Sequence, residues 1–261
     1  MSMLYSLLKA LFVSAGLTFL CSSGTFAAQD RPLTLPKHTA NNPFTHPAFG
    51  KDQSFLNLLD RLTRAAPGAN PQVINMALTA LDCALKNGME PARNLTMIDY
   101  SLVSTQKRLW VFDLVSGKLL FHELVAHGKN TGEHVARHFS NTYGSLQTSL
   151  GLFRTKETYM GANGYSLRME GLEEGFNDKA MERAIVFHGA PYVDLKLAKK
   201  LGHLGRSYGC PAVRNGIARK VIDTIKGDQF LFSYYPDKHW LASSKFLNCN
   251  RREQLAQQNL R

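Results

Sequence analysis

Residues 205–214 read GRSYGCPAVR, and two incompatible folds follow from which side chain in that stretch is taken as reactive. Taken as Gly205-x-Ser207-x-Gly209, it is a serine elbow. Such an elbow needs a buried strand before the serine, a helix after it, and an acid then a histidine downstream. That context is missing. Residues 194–206 (DLKLAKKLGHLGR) are basic and read as a helix and loop, and the only histidine downstream is His239, in a polar segment. Pro211 removes the amide hydrogen that a following helix would use. Taken as a turn around Cys210, the same letters are coherent. Gly209 permits unusual φ and close backbone approach, and Pro211 pushes Cys210 into extended backbone. Backbone N–H groups around such a turn can receive an oxyanion. Arg206 and Arg214 are expected to lower the thiol pKa, since positive neighbours favour thiolate.

Working outward, the periodicity agrees with the cysteine reading. From about residue 94 the pattern alternates, and residues 94–101, 108–112, 119–126, 151–155, 165–171, 184–188 and 229–235 read as strands. Leu114–Lys118 is a turn and Ile217–Ile225 a short helix. This predicts a mainly β sandwich or barrel, not a βαβ sheet. Ahead of it stands a helical pair over residues 54–93. Ser54 is the expected cap of a helix carrying Phe55, Leu58, Leu59 and Leu62, and Pro67-Gly68 breaks it. Asn70-Pro71 restarts a helix with Ile74, Leu78, Leu81 and Leu85, which ends at Gly88. Residues 28–53 read as a linker or arm, and residues 250–261 as a polar tail.

The chain of 261 residues is 44% hydrophobic and 20% charged, the composition of an ordinary globular protein. Its net charge of +11 suits an anionic partner. No basic cluster is interleaved with aromatics and no zinc-finger spacing occurs, so no nucleic-acid partner is expected. Lys9 is the only charge before Asp30, Ala10–Leu20 is a short apolar run, and Thr25-Phe26-Ala27 offers a cleavage site. Residues 1–27 therefore read as a secretory signal peptide, and the chain as exported to the periplasm or cell envelope. The run is too short for a stable membrane span. Lipidation of Cys21 stays open, although bulky Thr18-Phe19-Leu20 precede it. Beyond the leader, Cys83, Cys210 and Cys249 are an odd number, which points to one free or reactive thiol. Either Cys83 pairs with Cys249 or all three are unpaired. No metal and no cofactor is expected. His122 and His127 are one residue too far apart for H-E-x-x-H and fall on opposite faces of a strand, while His134 and His138 supply two ligands at most.

A cysteine nucleophile requires an imidazole. His188, at the end of the apolar strand Ala184–Phe187, is the best placed. His188-Gly189-Ala190 followed by Ser207-Tyr208-Gly209-Cys210 resembles the active-site signature of YkuD-type L,D-transpeptidases, enzymes that join or trim peptidoglycan stem peptides. Phe139-Ser140-Asn141, Ser149–Phe153 and Tyr165-Ser166-Leu167 are similar to the pre-catalytic strands of the branch called the murein L,D-transpeptidase catalytic domain family. The resemblance covers about residues 94–236, and the N-terminal helical pair is similar to that branch's own extension.

The resemblance implies a YkuD-like β-sandwich or barrel catalytic domain over residues 94–249. It implies Cys210 as nucleophile and His188 as its general base. Ser207 would orient the imidazole or line the oxyanion site, and the N–H groups of Gly209 and Cys210 would bind the oxyanion. Gly189, Tyr192, Arg206, Tyr208 and Arg214 are the expected substrate-binding residues. Three features depart from the family pattern: Tyr208 stands where histidine is usual, Arg214 lies four residues after Cys210, and the spacer from His188 to Ser207 is slightly long. The implied reaction is acyl transfer through a thioester on peptidoglycan peptide stems. L,D-carboxypeptidase activity at the same site and a non-catalytic wall-binding module are the alternatives.

Overall fold

The computed structural model describes residues 53–249. The expected signal peptide, Cys21, the arm up to residue 52 and the tail from residue 250 lie outside the described residues.

The helical pair is present as α1 (Gln53–Ala65) and α2 (Pro71–Lys86). Asn70 caps α2 by accepting the Gln72 N–H, with Pro71 at the first helical position. The first described residues, Gln53 and Ser54, are already helical, so Gln53 leaves the expected arm and Ser54 lies within α1 instead of capping it. Phe55, Leu58 and Leu62 form the buried stripe of α1, and Val73, Ile74, Ala77, Leu78 and Leu81 lie on the buried face of α2.

Then come β1 (Asn94–Asp99), β2 (Leu109–Asp113), β3 (Lys118–Glu123), β4 (Gly151–Gly161), β5 (Gly164–Gly171) and β6 (Val186–Ala190). The chain continues through α3 (Leu195–Leu201), β7 (Ala212–Arg214), α4 (Asn215–Ile225), β8 (Phe230–Tyr234) and α5 (Lys238–Ser243). The eight strands form one sheet in the order β3-β2-β1-β8-β4-β5-β6-β7. The β1–β8 and β6–β7 pairs are parallel and the others antiparallel. The sheet curls until its ends meet. Beyond β3, the Ala126 N–H donates to the Ala212 carbonyl of β7 at 2.8 Å, and Gly128 bridges Ser207. This barrel-like closure fits the expected mainly β class, and GRSYGCPAVR lies along the closing seam.

Period-two alternation builds a core on each face of the sheet. Leu95 and Met97 of β1, Trp110 and Phe112 of β2, and Phe230 and Phe232 of β8 pack with α1 and α2. Ile98, Leu109, Val111 and Leu231, from the same strands, point the other way. They pack with Phe153, Leu167, Phe187 and the α4 stripe Ala218, Val221, Ile222 and Ile225. Because both faces are covered, the strands read as near-continuous apolar runs. Strand β6 starts two residues later than expected because Ala184 takes φ +52°, a left-handed conformation that interrupts the extended chain.

A disulfide joins Cys83 of α2 to Cys249, so Cys210 is the free cysteine among the described residues. The bridge spans 166 residues of sequence. Chain-entropy reasoning assigns a loop of that size up to about 5 kcal/mol of stabilisation. The Cys83→Ala/Cys249→Ala variant is therefore expected to lose about 2–5 kcal/mol in denaturant unfolding. An unchanged midpoint and slope would contradict this.

Candidate active site

The seam fixes the elbow's backbone. The Ser207 N–H donates to the His127 carbonyl at 3.0 Å, and the Ser207 carbonyl accepts from Lys129 at 2.8 Å. Ser207 then closes the turn on itself: its hydroxyl donates to the Cys210 carbonyl at 2.6 Å and accepts the Gly209 N–H at 3.1 Å. Gly209 has φ +127°, and a Cβ there would stand 2.9 Å from both the Gln147 carbonyl and the Ile185 side chain. Only glycine suits both the conformation and the space. The Gly209 carbonyl accepts from the Thr148 hydroxyl at 3.2 Å.

Cys210 is buried, its sulfur held by the segment leading into β6. The Val186 N–H donates to Sγ at 3.4 Å, and Sγ–H points to the Ala184 carbonyl at 3.7 Å. The sulfur thus has an acceptor for its proton and a donor for its anion. Burial pushes the thiol pKa up, and the Val186 N–H, the Arg183 guanidinium and the cysteine's own N–H only partly offset this. At rest the group is a thiol.

His188 lies in the middle of β6, between Ser166 of β5 and Ala212 of β7, and not at a strand end as expected. Its Nδ1 is 2.9 Å from the Gly189 carbonyl, so the neutral ring donates there and Nε2 keeps the lone pair. Burial holds its pKa below the ordinary histidine value, partly countered by that hydrogen bond. The imidazole and the sulfur make separate hydrogen bonds in this resting state. His188 follows Val186 by one pleat repeat, about 7 Å along the strand.

The expected substrate-binding residues divide. Tyr192 packs against the elbow, where a Cβ on Gly205 would meet its Cβ at 2.4 Å. Burial and the nearby Cys210 push its phenol up to about 12. Tyr208 is exposed, with the Lys129 ammonium 5.6 Å from its ring centre. Gly189 faces helix α4, and a Cβ there would lie 2.8 Å from the Ala218 Cβ, so packing alone requires glycine.

Both arginines of the quoted stretch need correction as thiol activators. Arg214 makes a bidentate pair with Glu123 at 2.9 and 3.0 Å, tying β7 to β3. Arg206 reaches the carbonyls of Lys129 and Gly132 and, at 3.9 Å, the Glu133 carboxylate. Both guanidinium groups are engaged in seam contacts, with no hydrogen bond to the sulfur. Ser207 is corrected too. Its hydroxyl serves the turn, not the imidazole, and it occupies the Gly209 N–H that was expected at the oxyanion.

Arg183 was missed. It immediately precedes the strained Ala184, and its Nη2 would stand 3.5 Å from a Cβ on Gly209. Its partners lie 34–43 residues back in the chain, a separation that leaves no local sequence signal. His127 is buried, with Nδ1 2.7 Å from the Arg108 guanidinium and Nε2 3.2 Å from the Gly132 carbonyl. Burial and the Arg108 charge push it down to about 3, so it is a neutral strut of the seam. His134 and His138 lie outside any helix. Among the described residues no group of three or more histidine, cysteine or carboxylate side chains is arranged to hold a metal.

No curated protein matches the chain. Among solved structures, an L,D-transpeptidase from Mycobacterium smegmatis is similar at 14% identity and TM-score 0.35, covering 55% of this chain and 59% of that one. An L,D-transpeptidase (Yku) from Stackebrandtia nassauensis is similar at 10% identity and TM-score 0.32, covering 69% of this chain and 77% of that one. The model of the L,D-transpeptidase catalytic domain, YkuD_2, matches residues 65–234. That span takes in all eight strands, His188 and the Cys210 elbow, and the chain belongs to this family.

Proposed function

We propose that the protein is a cysteine acyltransferase acting on peptidoglycan stem peptides in the cell envelope. The observation that carries the reading is the sulfur of Cys210, the free cysteine among the described residues, poised between the Ala184 carbonyl and the Val186 N–H on the strand that bears His188. The thiol proton leaves for His188, and the sulfur attacks the carbonyl of the third stem residue. A thioester forms as the bond to D-alanine breaks, and the proton passes to the departing amine. An acceptor amine then attacks the thioester, forms the new amide and returns the proton to the sulfur. The Cys210 N–H is the elbow donor left for the oxyanion, because Ser207 engages that of Gly209. Family membership supports the substrate class, and the expected leader and basic charge suit an anionic wall polymer. Among the described residues no helix is long and apolar enough to cross a membrane.

The test is to incubate the purified protein with disaccharide-tetrapeptides and identify products by mass spectrometry. Release of D-alanine is expected, with cross-linked dimers if an amine is the acceptor and tripeptides alone if water is. No product under any acceptor condition overturns the enzymatic reading in favour of a wall-binding module.

A further inference from the structure

Two features of Arg183 are not explained by packing alone. The first is the chemistry of its partners. Nη1 donates to the Ser140 carbonyl at 2.7 Å and to the Ser149 hydroxyl, and Nη2 to the Gln147 carbonyl at 2.6 Å and the Ser145 hydroxyl at 3.1 Å. Every one of these acceptors is neutral. Arg206 and Arg214, by contrast, both have carboxylate partners. The second is position. The Ala180 carbonyl accepts the Ile185 N–H at 2.9 Å, and Ala184 turns at φ +52°. This tight return brings Arg183 to the elbow together with the Ala184 carbonyl that the thiol touches. With neutral acceptors alone, the positive charge of the guanidinium is not cancelled by a carboxylate among these partners.

We propose that Arg183 is the counter-charge of the Cys210 thiolate: a positioning residue that acts through the cysteine, and through the 140–149 segment its guanidinium organises. The proposal rests on the reading of Cys210 as nucleophile. When the proton departs, the sulfur keeps the Val186 N–H as a donor and gains the field of a cation that needs no rearrangement. The other titratable groups facing this sulfur do not supply that charge. Tyr100, just after β1, and Tyr192, after β6, are phenols that burial keeps protonated. Arg183 itself feels the Cys210 anion in return.

The test reads thiol ionisation, which needs no peptidoglycan. The pH dependence of Cys210 alkylation by iodoacetamide is followed by mass spectrometry of the Cys210 peptide. An opposite charge nearby shifts a titrating group by one to three pH units, and the half-exposed Arg183 is placed at the low end. Arg183→Met is therefore expected to raise the midpoint by about one pH unit, an approximately tenfold smaller thiolate fraction at neutral pH. Arg183→Lys is expected to stay within a few tenths of a unit of wild type. The Ser145→Ala/Ser149→Ala variant, which loosens the segment and keeps the charge, is expected to leave the midpoint in place. A wild-type midpoint in Arg183→Met overturns the proposal. So does a full-unit rise in either charge-retaining variant, which decides the matter even if Arg183→Met does not fold. A shifted midpoint without D-alanine release from any tetrapeptide would sustain Arg183's role and sink the substrate reading instead.

Discussion

Cys210→Ala is expected to lower D-alanine release from tetrapeptide stems by at least about a thousandfold, the scale on which loss of a covalent nucleophile is felt. The neighbouring hydroxyl cannot take over. Ser207 Oγ donates its proton to the Cys210 carbonyl at 2.6 Å and accepts the Gly209 N–H, so its proton and one lone pair are committed to the turn. Cys83 and Cys249 are bonded to each other. The substitution removes one sulfur and its two weak contacts, at a cost on the order of 1–2 kcal/mol, and leaves Gly209 and Pro211 to hold the turn. Kinetics and thermal melting on the same preparation separate the effects. A melting temperature near wild type with activity intact would remove Cys210 from the mechanism.

His188→Gln is expected to lower kcat/KM by about a hundredfold or more, the usual contribution of a positioned general base. The backbone pairing of β6 with β5 and β7 does not depend on the side chain, so the strand survives. The pH profile discriminates further. A base works in its neutral form, and burial lowers the His188 pKa, so protonation removes activity only below the ordinary imidazole value of about 6.5. Wild-type kcat/KM should fall on the acid side through that depressed midpoint, and His188→Gln should lose this acid limb. Burial raises the Cys210 thiol pKa and lowers that of His188, so both shifts favour the uncharged forms over a preformed ion pair. An acid limb unchanged in His188→Gln would assign the base to another residue.

How much of this was legible in the sequence depends on the range over which each feature is determined. Helices α1 and α2 were readable because Pro67-Gly68, Asn70-Pro71 and a 3.6-residue apolar period are local signals. Most strands were readable as short apolar runs bounded by turn signals, although β2 and β8, covered on both faces, carry no alternation. Strand β7 was not, because three residues after a turn carry no period, and it exists only by pairing with β6. The cysteine elbow was readable in its Gly-Cys-Pro core, where φ restrictions are intrinsic to the residues.

The electrostatics around the elbow were not readable. Arg214 looks free beside Cys210 until Glu123, 91 residues earlier, is folded against it. Arg183 looks like surface charge until the 140–149 segment wraps its guanidinium. Proximity in sequence selected the wrong arginines because charge acts through space, and the sheet's closure decides which charges share it.

The central claim is a covalent one, and the most direct measurement is the mass of the protein itself. Brief incubation with a disaccharide-tetrapeptide, acid quenching and intact mass spectrometry should reveal an adduct equal to the substrate less D-alanine. Peptide mapping should place it on Cys210, and it should be absent from Cys210→Ala. Product formation with no adduct on Cys210, and with turnover retained in Cys210→Ala, would contradict the thioester mechanism.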